Sequence, residues 1–284
     1  MGNPSSLAGP PSRLCARKQA GLLHSITKTL SSTHEAFLSA PLTQKKMEGA
    51  IKRMRSHCSP GMDGLPAAFY QLAPAIFGEC LQIVFADQLR RGSLLRSQRS
   101  SAITLLYIKV SQAEPGNYRP IASICVDVNV LSKVLAYRLQ QVLLKLIHEY
   151  QKTFLRGRFL HHHIRDMSDI QDLVTHRGDA AYATFLYFEK AYDRVDWSYM
   201  FAILSKMNCG TSFFEWAKLL YNNKNISLLL IGTLSPKTTP SRGLTQGDPL
   251  SALLFLMTIE PLGNLSRKNE GPDICIFPFD KATS

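Results

Sequence analysis

Thr184-Phe185-Leu186-Tyr187-Phe188-Glu189-Lys190-Ala191-Tyr192-Asp193-Arg194-Val195-Asp196-Trp197 decides how this chain of 284 residues is read. Its first half, from Ala183 to Glu189, is a nearly continuous apolar and aromatic run of strand length, which predicts a buried strand. Trp197, Phe201 and Leu204 then recur at helical spacing. Between the two lie Glu189, Asp193 and Asp196, whose ordinary reading is helix-start and surface carboxylates.

Toward the C-terminus, Phe213 to Tyr221 reads as a helix and Ile226 to Ile231 as a strand. Asp248 followed by Pro249 is an N-cap with proline at the first helical position, and Leu250, Leu253, Leu254 and Met257 continue that helix. Toward the N-terminus, His161, His162 and His163 are adjacent and so point in different directions, a poor single metal site. A loop with Lys152, Arg156 and Arg158 precedes them. The clearest amphipathic helix runs from Val128 to Ile147, with Leu131, Val134, Leu135, Leu139, Val142, Leu143 and Leu146 on one face. Ala102 to Lys109 alternates like a strand. Pro66 opens a helix that Pro74 interrupts, and Ser59-Pro60-Gly61-Met62-Asp63-Gly64 is a dense turn signal. Met47, Ile51 and Met54 stripe the basic stretch from Lys45 to Arg55. Residues 1–40, rich in Ser, Gly and Pro and without a sustained period, read as a disordered tail. The order of elements is α+β, without an internal repeat.

Composition sets the outer bounds. With 45% apolar and 19% charged residues, the chain is too apolar to be wholly disordered. Its longest apolar run, around Leu250 to Ile259, is far short of a membrane span, and Met1 to Pro11 lacks the apolar segment of a secretory signal. Six scattered cysteines without metal-ligand spacing point to reduced thiols and an intracellular setting. The net charge is +12, and residues 1–60 alone hold nine basic and two acidic side chains. Such an excess favours a polyanionic partner through counterion release.

Four segments, taken together and in order, resemble the reverse transcriptase domain of non-LTR (LINE-like) retrotransposons. They are Ser59-Pro60-Gly61-Met62-Asp63-Gly64, Asn117-Tyr118-Arg119-Pro120-Ile121, Phe188 to Trp197, and Gly243-Leu244-Thr245-Gln246-Gly247-Asp248-Pro249-Leu250-Ser251. Gly157-Arg158 falls between the second and third. The resemblance covers residues 45–265 and implies an α+β right-hand polymerase fold, represented by its fingers and part of its palm. It also implies roles. Tyr192 matches the aromatic residue on which the incoming sugar packs, and Gln246 and Gly247 match the pair that lies against nucleotide and template. Arg119 matches the fingers arginine that grips the triphosphate, a task suited to a bidentate guanidinium. Lys109 falls at the fingers lysine, although Ile108 replaces the usual proline before it. Arg156 and Arg158 fall where the family contacts template phosphates. On residue type alone, Tyr192 is equally a core aromatic and the arginines plain surface charge.

The same resemblance exposes two departures. Nucleotidyl transfer uses two divalent ions, Mg²⁺ in the family, held by carboxylates. Tyr187 occupies the position of the first metal-binding aspartate, and a phenol with a pKa near 10 does not bridge two ions at neutral pH. No Tyr-Ala-Asp-Asp segment follows the Gln246-Gly247 loop, so the distal palm hairpin and the thumb are expected to be missing. Residues 266–284 then read as a truncated C-terminal segment. The expectation is a reverse transcriptase-like chain that retains no metal, is catalytically inactive, and binds RNA or DNA weakly, with deoxynucleotides as the family's substrates and no membrane partner. A residual nucleic-acid-binding module and a non-functional retroelement fragment remain the alternatives.

Overall fold

The stripe over residues 128–147 becomes the longest helix of the described protein, and most of the core assembles around it. The computed structural model describes residues 13–108, 111–178, 180 and 182–268. Before the sheet come α1 (Arg13–His24), α2 (Ser32–Ser39), α3 (Gln44–Lys52), α4 (Ala67–Gln71) and α5 (Pro74–Arg91). Then follow β1 (Ser100–Tyr107), β2 (Tyr118–Ser123), α6 (Val126–Leu146) and α7 (Leu160–Arg177). The remainder is α8 (Trp197–Lys206), α9 (Thr211–Tyr221), β3 (Asn225–Leu230), β4 (Thr233–Leu234) and α10 (Ser251–Lys268). The α+β class is as the sequence indicates, and α10 runs three residues past the boundary drawn at residue 265.

Leu131, Leu135, Leu139, Leu143 and Leu146 of α6 are fully buried. Each such side chain contributes roughly 1.5–3 kcal/mol relative to exposure. Met47 and Ile51 of α3 pack into the same core. Pro66 and Pro74 act as expected: the first precedes α4 and the second opens α5, where its missing N–H costs no helical bond.

The sheet has the order β2-β1-β3-β4. β1 is antiparallel to β2, with Leu106 opposite Arg119, and parallel to β3, with Ile103 opposite Leu228. β1 thus lies between β2 and β3, and the chain leaves β2 at Ser123 for the short loop before α6.

Two expectations need correction. Residues 13–39, read as part of a tail, form α1 and α2. Neither helix has enough apolar residues to set a period, and their burial comes from distant partners. Ser31 caps α2 by accepting from His34 N, and Leu30 N donates to Met207 O at 3.0 Å. The buried Arg138 of α6 donates to the carbonyls of Leu38, Ala40 and Pro41, which closes the C-terminal end of α2. Ala183 to Glu189, in turn, is not a buried strand. The described residues there have no regular structure, and Phe185 and Leu186 are each 73% exposed. A strand requires a ladder partner, and among the described residues no strand of the sheet pairs with this segment.

Candidate functional site

The site forms where three loops meet at the sheet end. Asp196 caps α8 by accepting from Tyr199 N at 2.9 Å and from the Ser198 hydroxyl, which fixes the turn before the helix. The backbone of that turn is then bonded to the loop ahead of α10: Leu244 N donates to Tyr192 O and Gly243 N to Val195 O, both at 2.8 Å. Trp197 Nε1 adds a bond to Gly243 O at 2.7 Å. Gly243 lies at φ +95°, and a Cβ there would come within 3.1 Å of Asp193 O. Only glycine permits so close an approach at such a backbone angle.

Further along the same loop, Ala122 N at the end of β2 donates to Gln246 O at 2.9 Å. Gly247 has φ +109°, and a Cβ there would sit 3.0 Å from Ala122 O. Gln246 Nε2 reaches back to the Asp193 carboxylate at 3.4 Å. The Asp193 pKa is raised, chiefly by burial, with the Gln246 bond and Lys190 opposing. The Tyr192 ring stacks on Phe255 of α10, centroids 4.9 Å apart and planes at 16°. The fold thus brings Tyr192, Gln246 and Gly247 together. Arg119, exposed, lies three residues before Ala122 on β2, about 10 Å along the strand.

Beneath the loop lies a polar network that the sequence did not signal. The Asp248 carboxylate is buried and accepts from Leu250 N at 3.0 Å and from the Ser132 hydroxyl of α6. Lys224, just before β3, donates to Thr245 Oγ1 at 2.5 Å and lies 4.7 Å from the Tyr221 ring centroid. Burial lowers the Lys224 pKa, with Asp248 opposing. These partners come from α6, α9 and the residue just before β3, and no spacing along the chain links them.

Tyr187 is elsewhere in character. It is 79% exposed, on the irregular segment. The nearby acids have other partners: Glu189 pairs with Arg194 at 2.6 Å, Asp193 with Gln246, and Asp196 with the start of α8. The residues around Tyr187 therefore do not fit a pair of divalent ions. Among the described residues one group of potential ligands converges, Asp63, Cys125 and Asp127, with ligand atoms within 4.8 Å of one another. Burial first, and then the adjacent Asp63 and Asp127 carboxylates, raise the Cys125 thiol to about 12, so it is protonated at neutral pH. Asp127 accepts from Gln98 Nε2 at 2.6 Å. This group lies between the Ser59–Gly64 turn and the start of α6, with Cys125 on the short loop after β2.

The remaining candidates are dispersed. Arg156 lies with its guanidinium 5.1 Å from the Tyr137 ring centroid. Arg158 donates to the carbonyls of His148 and Gln151, which shapes its own loop. Lys109 lies outside the described residues, as do residues 269–284.

A description of the family "Reverse transcriptase (RNA-dependent DNA polymerase)" matches residues 108–279, more than half of the chain. The chain is 28% identical over 239 residues to the "Transposon TX1 uncharacterized 149 kDa protein" of Xenopus laevis, covering 84% of this chain and 18% of that protein. It is 25% identical over 258 residues to the "Retrovirus-related Pol polyprotein from type-2 retrotransposable element R2DM" of Drosophila melanogaster, covering 89% of this chain and 22% of that one. The chain thus spans about a fifth of the length of these relatives. Among solved structures, a chain of a partial Cas6-RT-Cas1–Cas2 complex is similar with a TM-score of 0.44 and 18% identity, over 81% of this chain and 34% of that chain. The family description over residues 108–279 agrees with the four motifs, and the chain belongs to the reverse transcriptase (RNA-dependent DNA polymerase) family, among the proteins of non-LTR retrotransposons.

Proposed function

We propose that this chain comprises the fingers and part of the palm of an RNA-directed DNA polymerase domain, and that its own residues do not carry nucleotidyl transfer. The observation that carries this reading is Tyr187. Reverse transcriptases generally work with divalent metal ions, and a carboxylate is the hard, charged oxygen donor such ions need. Tyr187 offers a phenol at that position, and Glu189, Asp193 and Asp196 form no converging group of ligands among the described residues.

The nucleotide-facing parts are retained in this reading. Tyr192, braced by Phe255, provides the surface for a sugar. Gln246 and Gly247 present backbone and amide to nucleotide and template. Arg119 and Lys109 are the residues for the triphosphate and Arg156 for the template phosphates, whereas Arg158 is taken up by the carbonyls of His148 and Gln151. The partner is RNA or DNA, bound weakly and without sequence preference, because phosphate contacts position a strand but carry no base information. No helix among the described residues is long and apolar enough to cross a membrane.

Primer extension on an RNA template, with Mg²⁺ or Mn²⁺, tests the catalytic half: no product is expected, and templated synthesis by the unmodified chain overturns it. Binding of a labelled oligonucleotide across a salt series tests the other half. Affinity falling steeply with salt supports it, and an affinity that does not change with salt counts against it.

A further inference from the structure

The start of α6 gathers three metal-ligating side chains from two distant places in the sequence. Cys125 is the residue before the helix, Asp127 is in its first turn, and Asp63 comes from the Ser59–Gly64 turn. Their ligand atoms all lie within 4.8 Å of one another. Backbone packing holds the turn there: a Cβ on Gly61 would sit 2.5 Å from Cys125 Cα, so only glycine lets the two segments come this close. Asp63 Oδ1 accepts from Leu65 N at 3.3 Å, which orients the carboxylate on the exposed side of the group.

The shell around these ligands is built as well. Asp127 accepts from Gln98 Nε2 at 2.6 Å and, through its other oxygen, from Val128 N at 2.7 Å. Gln98 is itself 6% exposed and accepts from Gln88 Nε2 and Leu95 N. A buried amide donating to a carboxylate is the outer-shell arrangement that fixes a metal ligand's orientation, and each carboxylate oxygen keeps a second lone pair. What the group lacks is positive charge. In a chain of net charge +12, neither Asp63 nor Asp127 is in an ion pair among the described residues. The Tyr70 hydroxyl feels the same field: burial raises its pKa, and Asp127, Asp63 and Cys125 raise it further. Partly buried carboxylates without a cation favour an ion of opposite sign among them.

We propose that Asp63, Cys125 and Asp127 form a binding site for a borderline-soft divalent ion, zinc above all, which clips the Ser59–Gly64 turn to the start of α6. The donor set selects the ion: a sulfur ligand suits Zn²⁺ and not Mg²⁺, which takes oxygen ligands. Around a tetrahedral Zn²⁺, with bonds of about 2.0–2.3 Å, ligand atoms stand about 3.5 Å apart, so the three close by about 1 Å on binding. The exposed Asp63 has room to move in. Forming the Zn–S bond releases the Cys125 thiol proton to solvent, and a water completes the fourth position. Cys125 lies three residues after Ala122, whose N–H donates to Gln246 O, so the ion would also brace the segment that holds Gln246. The proposal does not depend on whether the chain binds nucleic acid.

The test uses the full chain, stripped of metal and kept reduced with a phosphine, and Co²⁺ as the spectroscopic stand-in for Zn²⁺. A cobalt–thiolate charge-transfer band in the near ultraviolet is expected to saturate at one equivalent. It should bleach on adding Zn²⁺ and persist in excess Mg²⁺. Asp63→Asn is expected to weaken Co²⁺ binding by at least about 10–100-fold, the loss that removing even an outer-shell partner brings. Asp63→Cys is expected to tighten binding and intensify the band. Both variants change an exposed side chain, so the fold is retained. Cys15→Ser/Cys58→Ser/Cys80→Ser/Cys275→Ser, which leaves Cys125 and Cys209, is expected to bind as the wild type does. No thiolate band in the wild type, or a band lost in the fourfold cysteine variant, overturns the site. So does a band of undiminished affinity in Asp63→Asn. Co²⁺ bound without the band is imidazole binding, of the kind the His161–His163 run offers, and overturns it too. Bleaching by Mg²⁺ as readily as by Zn²⁺ overturns the choice of ion.

Discussion

Gln246 donates to the carboxylate of Asp193 at 3.4 Å, across 53 residues of sequence, and joins the two loops that carry the family's most specific motifs. At that length the bond is weak. The stronger fixings are the backbone bonds beside it, Leu244 N to Tyr192 O and Ala122 N to Gln246 O. The motif glycines make these approaches possible, and the side-chain bond follows from them.

That ordering gives the first prediction. Gln246→Leu is expected to change stability by less than about 1 kcal/mol, since one long hydrogen bond is lost. Gly247→Ala should cost more, on the order of 1–3 kcal/mol, because its φ of +109° is strained for alanine and its Cβ would press on Ala122 O. Gly157→Ala is the comparison: its φ is +78° and nothing lies within 4 Å of the added Cβ, so only backbone strain remains. Urea unfolding of the three variants checks the order. A Gly247→Ala protein no less stable than Gly157→Ala would show that the loop is not pinned to β2.

The second prediction concerns Arg138, a buried cation bonded to carbonyls with no carboxylate partner among its hydrogen bonds. Burial lowers its pKa, but a guanidinium remains charged. Arg138→Met removes the cost of burying a charge but leaves the carbonyls of Leu38, Ala40 and Pro41 short of donors. An unsatisfied buried polar group costs about 1–3 kcal/mol, so a net loss of roughly 2–4 kcal/mol is expected. Hydrogen exchange should show α2 opening first. Unchanged protection in α2 would remove Arg138 as its anchor.

A third prediction follows from buried histidines. His163 is fully buried, and burial holds its pKa below the ordinary 6.5, helped by Lys152 and His162 and opposed by Asp166. His148 is lowered as well, first by burial. The unfolded chain then binds protons that the folded one refuses, so stability falls as pH drops from about 6.5 toward the folded-state values. Thermal unfolding at about pH 7.5 and pH 5.5 should show a lower Tm in acid. His163→Met should show a smaller drop, and taking the difference cancels the raised carboxylates Asp127, Asp193 and Glu260, which act in the opposite direction. An equal drop in both proteins would assign the effect to other groups.

How much of this was legible in the sequence depends on whether the signal was local. α6 was read within two residues at each end, because one 3.6-residue stripe runs its whole length. Asp248 and Pro249 marked the approach to α10, which begins at Ser251, two residues later than a cap at Asp248 indicates, with Asp248 accepting from Leu250 N in the turn before it. α1 and α2 were missed because their burial depends on Met207, Arg138 and Pro261, which lie far along the chain. Lys224 was missed for the same reason. Ala183 to Glu189 shows the converse: composition specifies a strand, but strand formation depends on a neighbour. Motif matching singled out Tyr192, Gln246 and Gly247, which the fold brings together, and could not show that Arg158 faces its own loop's carbonyls.

The exposed segment carries a fourth prediction. Thr184 to Phe188 displays an apolar, β-branched and aromatic backbone with no ladder partner among the described residues, which invites intermolecular pairing. Purified chain is expected to associate as its concentration rises, and Phe185→Ser/Leu186→Ser to shift that onset upward. Static light scattering against concentration decides it. A monodisperse wild type that melts cooperatively as a monomer would show the segment to be covered.

The last prediction concerns Tyr187→Asp, which restores the residue type expected at the first metal position. Each Mg²⁺ takes near-octahedral oxygen coordination, of which substrate phosphates and water supply only part. The new carboxylate would stand on an exposed, irregular segment and would have to meet others. Glu189 is paired with Arg194, Asp193 accepts from Gln246, and Asp196 holds the start of α8. Releasing Asp196 would cost α8 its cap, about 1 kcal/mol. Ions held by one carboxylate would be loosely placed, and in-line transfer loses about a hundredfold for a misplacement of about 1 Å. Wild type and Tyr187→Asp are therefore both expected to give no primer extension with Mg²⁺ or Mn²⁺. Tyr187→Asp joined to a family-type distal palm and thumb, which bring a carboxylate pair, should give some. Extension by Tyr187→Asp alone would mean that Asp193 or Glu189 leaves its partner to bind metal, and Asp193→Asn and Glu189→Gln in that background would identify which.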